Sequence, residues 1–315
     1  MTIQPSRPGI PADILALSHE RDELRRKGKY DRADALKRQI EEAGYGIKDN
    51  PRGAHLIILP SVEVDGIAYR TARQVPSLLE EADRCEFSVN ILANTSSEEV
   101  DRCLESVLRF GECSDIEVIV VENRSLDAQV GELQRRDPRL HVLRTSRPLG
   151  VAEARNTGLK RSRGSYILLL DSSVELTGDV FMPLAQVLAN RSVGITGARG
   201  LLTEDLRHFE ECTTPEVEVV DGLCMAFRRG LLKKVGLFDE RYRFPSYMDI
   251  DFSFAVRDSG VQAVVTPNLP LISHPLMQDA NLSDAERTRL TKRNFYRFVG
   301  KWGHRDDLLL DKKGQ

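Results

Sequence analysis

Apolar and polar positions alternate in blocks along most of the chain, and the blocks predict its secondary structure. From Phe87 onward, apolar runs of strand length recur as FSVNILAN, DIEVIVVEN, LHVLRTS and SYILLLD. Stretches with helical spacing separate them: SSEEVDRCLESVLRF, with Ser96 or Ser97 as its cap, then SLDAQVGELQRR and VAEARNTGLKRSR. Strand–helix repeats of this length predict an α/β domain whose mainly parallel sheet carries helices on both faces.

The chain before Phe87 follows a different pattern. Residues 1–10 have two prolines and no periodicity, which predicts a disordered tail. Residues 11–55 predict a small α-helical hairpin, with Asp31 as the cap of its second helix and GYGIKDNPRG as a turn-rich exit. Residues 56–85 predict a connector that contains one short strand and the hairpin VEVDGIAYR.

Composition narrows the function classes. The 315 residues are 41% hydrophobic, which is ample for a packed core and for more than one structural unit. The formal net charge of -3 gives no global electrostatic case for nucleic acid or membrane binding. No signal-peptide pattern is visible, and no apolar run approaches the roughly 18 residues of a membrane span.

The cysteines indicate a reducing compartment. They are odd in number and form no CxxC pair, so they favour neither a zinc site nor a disulfide framework. Reduced thiols in a cytoplasmic protein are the expectation. The five residues are Cys85, Cys103, Cys113, Cys212 and Cys224.

Polar side chains follow three of the predicted strands. Asn94 ends the first strand, Glu122 and Asn123 end the second, with Ser125 and Asp127 beyond them, and Asp171 ends the fourth. Any one of them alone is more often a helix cap or a turn former. Parallel sheets bind ligands at the carboxyl ends of their strands, so the recurrence predicts a ligand site at one rim.

Several enzyme classes lack their motifs here. The first strand of the α/β domain runs into ANTSSEEV, with no GxGxxG for a dinucleotide. The chain also contains no GxxxxGK[ST], no HExxH and no GxSxG.

Four motifs occur in order along the α/β domain, and each has a counterpart in one known enzyme family. VIVVENRSLD resembles VVDNGSTD, and RPLGVAEARNTGLKRSRGSYILLLDSSVEL resembles NxGxAxARNxGxxxAxGxYIxxLDxDxxL. DGLCMAFRRGLLKKVGLFDERY resembles the segment that ends in a G-x-FDE turn, and YMDIDFSFAVRDSG resembles EDxDxxxRxxxxG. Together the four motifs resemble those of family 2 glycosyltransferases of the GT-A fold. The resemblance spans residues 87–275 and implies a Rossmann-like GT-A domain over residues 86–275.

The resemblance implies transfer of a sugar from a nucleotide sugar (UDP-, GDP- or dTDP-linked) to an acceptor that the sequence does not identify. Asp249 takes the position of the general base of an inverting transfer. Asp251 is predicted to cap the helix that follows. The donor-binding positions implied by the motifs are Asn94, Glu122, Asn123, Arg155, Asn156, Asp171 and Ser173.

The metal site that the resemblance implies has lost an acid. The family's DxD motif is Asp171-Ser172-Ser173 here, and a neutral hydroxyl is a poorer partner for Mn or Mg than a carboxylate. Asp171 and His274 are the remaining candidate metal ligands, and Glu175 could replace the lost acid. Metal dependence is therefore in doubt.

Two further departures keep a non-catalytic alternative open. Met248 replaces the Glu of the family's ED pair, and Pro148 stands where the family often has Asn. A catalytically degenerate binding or scaffold protein is the alternative to the enzyme.

The N-terminal hairpin contains RDELRRKGKYDRADALKRQIEEAGYGIKDNPRGAHL, which resembles the C-terminal tail of cysteinyl-tRNA synthetases. The HIGH and KMSKS signatures of those enzymes are absent, so aminoacylation is not implied. A tail of that origin could contact tRNA. Residues 11–50 contain nine Lys/Arg and nine Asp/Glu, however, which favours a packing or partner module over a phosphate-binding surface.

Residues 276–315 predict a basic amphipathic helix and a tail. Between residues 285 and 305, seven Lys/Arg stand against Glu286 alone, with aromatic residues interleaved. A packed helix with a solvated basic face is the ordinary interpretation. A lid over the donor diphosphate, or a contact with an acidic surface, is the sharper one. Arg155 is a second candidate cation for the diphosphate.

Overall fold

The computed structural model describes residues 10–50, 53–94, 96–112, 114–123, 134–135, 137–212, 214–275 and 282–310. The chain divides between Val75 and Pro76 into two compact units. No helix among these described residues is long and apolar enough to cross a membrane. The predicted residues Cys113, Ser125 and Asp127 lie outside the described part, as does nearly all of the helix predicted from SLDAQVGELQRR.

The first unit begins with the predicted helical hairpin, α1 (Ala12–Arg26) and α2 (Tyr30–Glu42). Two antiparallel pairs follow it: β1 (Tyr45–Asn50) with β2 (Gly53–Ile58), and β3 (Val62–Val64) with β4 (Ile67–Tyr69). Buried Ile14, Ile40 and Leu56 form the core.

Two local predictions in this unit were wrong. Most of the supposed exit turn is strand β1 (Tyr45–Asn50), because an antiparallel partner satisfies its backbone groups. Asp31 does not cap α2, which begins at Tyr30 after Lys29 and has no side-chain cap.

The second unit has the predicted alternation of helices and strands. Its helices are α3 (Ser97–Phe110), α4 (Val151–Lys160), α5 (Phe181–Ala189), α6 (Leu232–Val235), α7 (Met248–Asp258) and α8 (Asp284–Trp302). Its strands are β5 (Cys85–Ala93), β6 (Ile116–Glu122), β7 (Leu140–Thr145), β8 (Gly164–Leu170), β9 (Val174–Leu176), β10 (Val193–Gly197), β11 (Gly200–Leu202), β12 (Glu210–Cys212), β13 (Glu216–Val217), β14 (Val219–Val220), β15 (Cys224–Arg228), β16 (Gln262–Val265) and β17 (Leu271–Ser273).

The large sheet of this unit has the strand order β13-β16-β10-β15-β8-β5-β6-β7. The neighbours β8, β5, β6 and β7 are parallel, as predicted. Strand β15 enters between β8 and β10 and is antiparallel to both, so the sheet is mixed. Small sheets β12-β11-β14 and β17-β9 lie outside it.

Helix α4 packs very close to the sheet at Gly158. A Cβ at this position would lie 2.7 Å from Asn90 Oδ1 and 3.0 Å from Val121 Cγ2. Only glycine allows this approach without displacing β5 or β6. One turn earlier in the same helix, Arg155 donates to the carbonyl oxygens of Asn90 in β5 and Leu170 at the end of β8.

Candidate active site

The carboxyl ends of β5, β6 and β8 meet at one rim and carry the predicted polar residues. Register pairs Ala93 with Glu122, so Asn94 and Asn123 follow at the same level of the sheet. Asn123 Nδ2 lies 3.4 Å from Asn94 Oδ1. The structure therefore brings together the residues that end the first two strands.

Asn123 holds the turn that precedes α4. Its Oδ1 accepts from the Leu149 N–H at 2.7 Å, and its Nδ2 donates to the Leu149 carbonyl at 3.2 Å. Glu122 Oε2 lies 3.3 Å from Arg144 Nε. Both side chains are thus fixed by neighbours in the rim, and direct contact with a donor stays a prediction.

Arg155 and Asn156 bind the protein framework. The buried Arg155 guanidinium donates to the carbonyl oxygens of Asn90 at 3.0 Å and Leu170 at 3.2 Å. Burial lowers the pKa of Arg155, while the Asp171 carboxylate raises it.

The Asn156 amide accepts from the Phe238 N–H at 3.0 Å and donates to the Phe238 carbonyl at 2.9 Å. It therefore holds the turn of the FDE segment, while Arg155 ties β5 to β8. A donor contact by either residue remains a prediction.

Asp171 and Ser173 form a closed turn after β8. The Ser173 N–H and hydroxyl both donate to Asp171 Oδ1, at 3.0 Å and 2.7 Å. Ser173 is buried, whereas Asp171 is partly exposed. Among the described residues Asp171 Oδ2 has no hydrogen-bond partner, so this oxygen is free to meet a ligand.

His274 lies next to this turn but pairs with Glu175. The His274 N–H donates to the Ser173 carbonyl at 2.9 Å, and His274 Nε2 lies 2.7 Å from Glu175 Oε2. Within the described residues no group of three or more His, Cys, Asp or Glu could hold a metal ion. The candidate ligands Asp171 and His274 are therefore neighbours, but they do not assemble a complete donor set.

Asp249 occupies the first turn of α7, directly after Tyr247 and Met248. Its Oδ1 accepts from the Ile250 N–H at 3.0 Å, and its Oδ2 accepts from the Gly222 N–H at 2.9 Å. Burial raises the pKa of Asp249, and these N–H donors oppose the shift.

The loop before β15 joins Asp171 to Asp249. The Asp171 N–H donates to the Leu223 carbonyl at 2.9 Å, while the Gly222 N–H donates to the Asp249 carboxylate. The candidate donor acid and the candidate base are thus attached to consecutive residues of one loop. A single region of the fold contains both.

Asp221, in the same loop, was missed by the sequence reasoning. Its Oδ1 accepts from the Leu223 N–H at 3.0 Å, and its Oδ2 lies 3.2 Å from Arg199 Nε. Burial raises the pKa of Asp221 to about 6, and the negative charge of Asp249 adds to the shift. The available signal was an acid that directly follows the apolar pair Val219-Val220.

The cap predicted at Asp251 was wrong. The N-cap position of α7 is Tyr247, without a side-chain cap. Asp251 is buried and accepts from Lys301 Nζ at 2.9 Å and from Trp302 Nε1 at 2.8 Å. Asp251 therefore links α7 to α8 through these hydrogen bonds.

The fold defines the class as GT-A. The chain is similar to GalNAc-T7, whose crystal structure contains UDP, GalNAc and Mn2+, with a TM-score of 0.59 and 16% identity over 72% of this chain and 49% of that chain. It is also similar to the mannosyltransferase PcManGT of Pyrobaculum calidifontis in complex with GDP-Man and Mn2+, with a TM-score of 0.55 and 16% identity over 71% of this chain and 69% of that chain. The predicted α/β GT-A fold is confirmed.

The family resemblance is confirmed as well. Residues 88–236 match the model of Glycosyl transferase family 2. The uncharacterized glycosyltransferase EpsJ of Bacillus subtilis (strain 168) is 32% identical over 102 residues, which are 31% of this chain and 29% of EpsJ. The matches cover 22% and 29% of the curated relatives' own lengths. The matching region supports a transferase enzyme.

Proposed function

We propose that the protein transfers a sugar from a nucleoside-diphosphate donor to an acceptor, with inversion, and that Asp249 is the general base. The observation that carries the proposal is the attachment of Asp171 and Asp249 to the adjacent residues Leu223 and Gly222. A donor held at Asp171 and a nucleophile held at Asp249 would share one site. Positioning of this kind supplies a large part of the rate of a bimolecular transfer.

The rim at the ends of β5, β6 and β8 is the proposed donor side. The side-chain oxygens of Asn94, Glu122 and Asp171 can accept hydrogen bonds from the donor there. Asp171 Oδ2 is available for a sugar or ribose hydroxyl. Both solved neighbours contain nucleotides, UDP in one and GDP-mannose in the other, which supports a nucleoside-diphosphate donor for this chain. Arg155 and Asn156 contribute by holding the strand ends and the FDE turn.

Asp249 is proposed to take the proton of the acceptor hydroxyl as that oxygen attacks the sugar. A base is most effective when its pKa lies near the working pH, and burial moves the pKa of Asp249 upward in that direction. Asp221 brings a second carboxylate into the same loop, and the charge of Asp249 contributes to the raised pKa of Asp221.

The neighbours contain Mn2+, but among the described residues of this chain the side chains near Asp171 do not form a metal site of carboxylates. The residue that replaces the acid is Ser173. Its hydroxyl donates a hydrogen bond to Asp171 and carries no negative charge. No step of the proposed transfer is therefore assigned to a metal ion.

Calorimetric titration with UDP, GDP and dTDP, each with and without manganese, tests the donor site. We expect at least one nucleotide to bind, with little response to manganese. Absence of binding under all conditions would remove the enzyme proposal. Thermal stabilisation by a panel of nucleotide sugars would then identify the donor, because a ligand that binds only the folded state raises its stability.

The second candidate is a degenerate glycosyltransferase fold that binds without turnover. The hydrogen bond between Ser173 and Asp171 favours it, because it closes the turn where relatives place a metal-binding acid. Nucleotide binding without release of sugar or nucleotide product would select this candidate.

The role of the N-terminal hairpin is a separate proposal. We keep the packing or partner module, because the positive and negative charges of residues 11–50 are equal in number. A gel-shift assay with tRNA tests the alternative, and binding that persists at physiological salt would support it. A cytoplasmic location fits the described cysteines, which are all free.

A further inference from the structure

The exposed face of α8 and the turn that contains Arg241 line a shallow, open basic cleft, called here the arginine cleft. Its volume is about 440 Å³. The residues that line it are Arg241, Arg293, Tyr296, Arg297, Gly300 and Lys301. Arg243 and Arg289 lie close enough for their charges to act on Arg293.

The positive charges of the arginine cleft are only partly neutralised by the protein. Arg241 pairs with Asp239, and Lys301 pairs with Asp251. In the described part of the chain, no carboxylate forms an ion pair with Arg243, Arg289 or Arg293.

Arg293 is surrounded by other positively charged side chains. Burial lowers the pKa of Arg293, and the neighbouring charges of Arg297, Arg243 and Arg289 lower it further. Like charges held together without a counter-charge destabilise a folded chain, and a bound anion would relieve that repulsion.

Contacts made by the buried face of α8 fix the position of the cleft. The buried Asn294 amide donates to the carbonyl oxygens of Phe244 at 3.0 Å and Ser246 at 2.9 Å. Phe298 and Trp302 are buried on the same side of α8. The apolar face of α8 is therefore packed against the fold, which fixes the helix. Its basic face is exposed to solvent.

One segment of chain connects the cleft to the candidate base. Arg243 flanks the cleft, and Asp249 follows it by six residues, a separation that an extended chain could stretch to at most about 20 Å. The Asn294 hydrogen bonds fasten this segment midway, at Phe244 and Ser246. The Cα atoms of Arg243 and Asp249 are consequently no more than about 20 Å apart, so the cleft and the candidate base belong to the same part of the second unit.

We propose that the arginine cleft binds a phosphate group carried by the acceptor, an inference that rests on the proposed transferase function. Guanidinium groups match phosphate oxygens in pairs, and a phosphate offers enough oxygens to bind several of them at once. Tyr296, which is 59% exposed, adds an aromatic surface beside the charges. The acceptor class is then a phosphorylated saccharide, metabolite or polymer.

Other anions fit this surface less well. The donor diphosphate is expected at the rim around Asp171, where the motifs place it. Insertion into an anionic membrane would need exposed apolar side chains, but Phe298 and Trp302 are buried in the fold. A nucleic acid would need an extended basic track, whereas these charges gather around one cleft.

The test uses the full chain and inorganic phosphate as the probe. Titration calorimetry is compared for the wild type, Arg293→Gln and Arg289→Gln, with UDP and GDP titrated into the same proteins. Both arginines are exposed surface residues of α8, so the variants are expected to fold. We expect each change to weaken phosphate binding by roughly tenfold, the size of a lost charge-assisted contact. Nucleotide affinity should stay within about twofold, since these residues lie outside the donor rim.

Arg191→Gln is the matched control, since it removes one exposed positive charge that does not line the cleft. Phosphate binding that falls equally in this control would overturn the proposal. So would an equal loss of phosphate and nucleotide affinity in Arg293→Gln, because the cleft would then hold the donor.

Binding to phosphatidylserine vesicles without binding to phosphate would assign the face to a membrane instead. A wild type that binds phosphate but no nucleotide would refute the transferase function and leave the anion site standing.

Discussion

Asp171, Asp221 and Asp249 are the same residue type in three different environments. Asp171 is partly exposed and bound by a serine, Asp221 is paired with Arg199, and Asp249 is bound by two backbone N–H groups. The surroundings of each carboxylate determine when it is charged. These differences allow the three residues to be tested separately.

The first prediction concerns Asp249→Asn. The amide cannot take a proton from the acceptor, so kcat should fall by roughly a hundredfold to ten-thousandfold. The Kd for nucleotide should stay within about twofold, because the side chain is assigned to the acceptor. Steady-state kinetics and nucleotide titration measure the two effects.

Asp258→Asn, at the other end of α7, is the control for this experiment. Its side chain is exposed to solvent near Arg305, away from the Asp171–Asp249 loop. Loss of nucleotide binding in step with turnover would show that Asp249 supports the structure instead.

The second prediction concerns pH. The folded pKa of Asp221, about 6, is above the ordinary value of 3.8, so the folded state favours the protonated carboxyl. Its contribution to stability is therefore complete below about pH 4 and is lost as the pH rises through about 6. Asp221→Asn should raise the free energy of unfolding at pH 7.5 by about 2–3 kcal/mol.

Urea unfolding of wild type and Asp221→Asn at several pH values measures this difference. The two curves should converge below about pH 4, where the wild-type carboxyl is protonated in both states. A constant difference across the pH range would mean that the charge of Asp221 is not the cause. Arg199 loses its Asp221 partner in the variant but keeps Glu211 at 3.2 Å.

The third prediction concerns Ser173→Asp. The serine hydroxyl lies 2.7 Å from Asp171 Oδ1, so a carboxylate here would repel Asp171 unless a cation lay between them. We expect nucleotide binding by this variant to become manganese-dependent, by roughly tenfold or more. Ser173→Asn, of similar size but neutral, should show no such response. An unchanged metal response in Ser173→Asp would mean that this turn does not face the diphosphate.

At the scale of the element, much of the second unit could be predicted from sequence. Strands β5, β6 and β8 are rich in buried apolar residues, since both faces of a parallel sheet are covered. Their carboxyl ends had to meet, which is why Asn94, Asn123 and Asp171 were found in advance.

Other features depend on partners far along the chain. β15 is as apolar as a parallel strand, and only its neighbours β8 and β10 show that it is antiparallel. Periodicity gave no information on where Arg155 points. Asp251 sits at a helix start, where an acid usually caps, but its partners lie fifty residues away in α8.

The fourth prediction belongs to the contact between α7 and α8. The buried Asp251 accepts hydrogen bonds from Lys301, Trp302 and Tyr242. Asp251→Ala leaves these donors without their acceptor and should lower the free energy of unfolding by about 3–5 kcal/mol. Urea unfolding measures the loss. Asp258→Ala, an exposed acid of the same helix, should cost under about 1 kcal/mol, and equal losses would remove the special role of Asp251.

At the scale of the whole molecule, the sequence indicated two parts with different patterns, and the folded chain divides into its two units between Val75 and Pro76. The residues of the candidate site, from Asn94 to His274, all lie in the second unit. The arginine cleft is in the second unit as well. The first unit has its own core and its own ion pair between buried Arg21 and exposed Asp49, so its stability can be altered separately.

The fifth prediction uses that division. Buried Arg21 donates to Asp49 in two hydrogen bonds, of 2.6 Å and 2.9 Å, and so ties α1 to β1. Arg21→Ala removes both bonds and the packing of the side chain, and should destabilise the first unit by about 2–3 kcal/mol. The nucleotide Kd should stay within about twofold, because no residue of the candidate site lies in that unit. Hydrogen exchange should show faster opening of α1 and β1, while the β5–β8 strands keep their protection. A loss of nucleotide affinity that accompanies the loss of protection would instead show that the first unit supports the donor site.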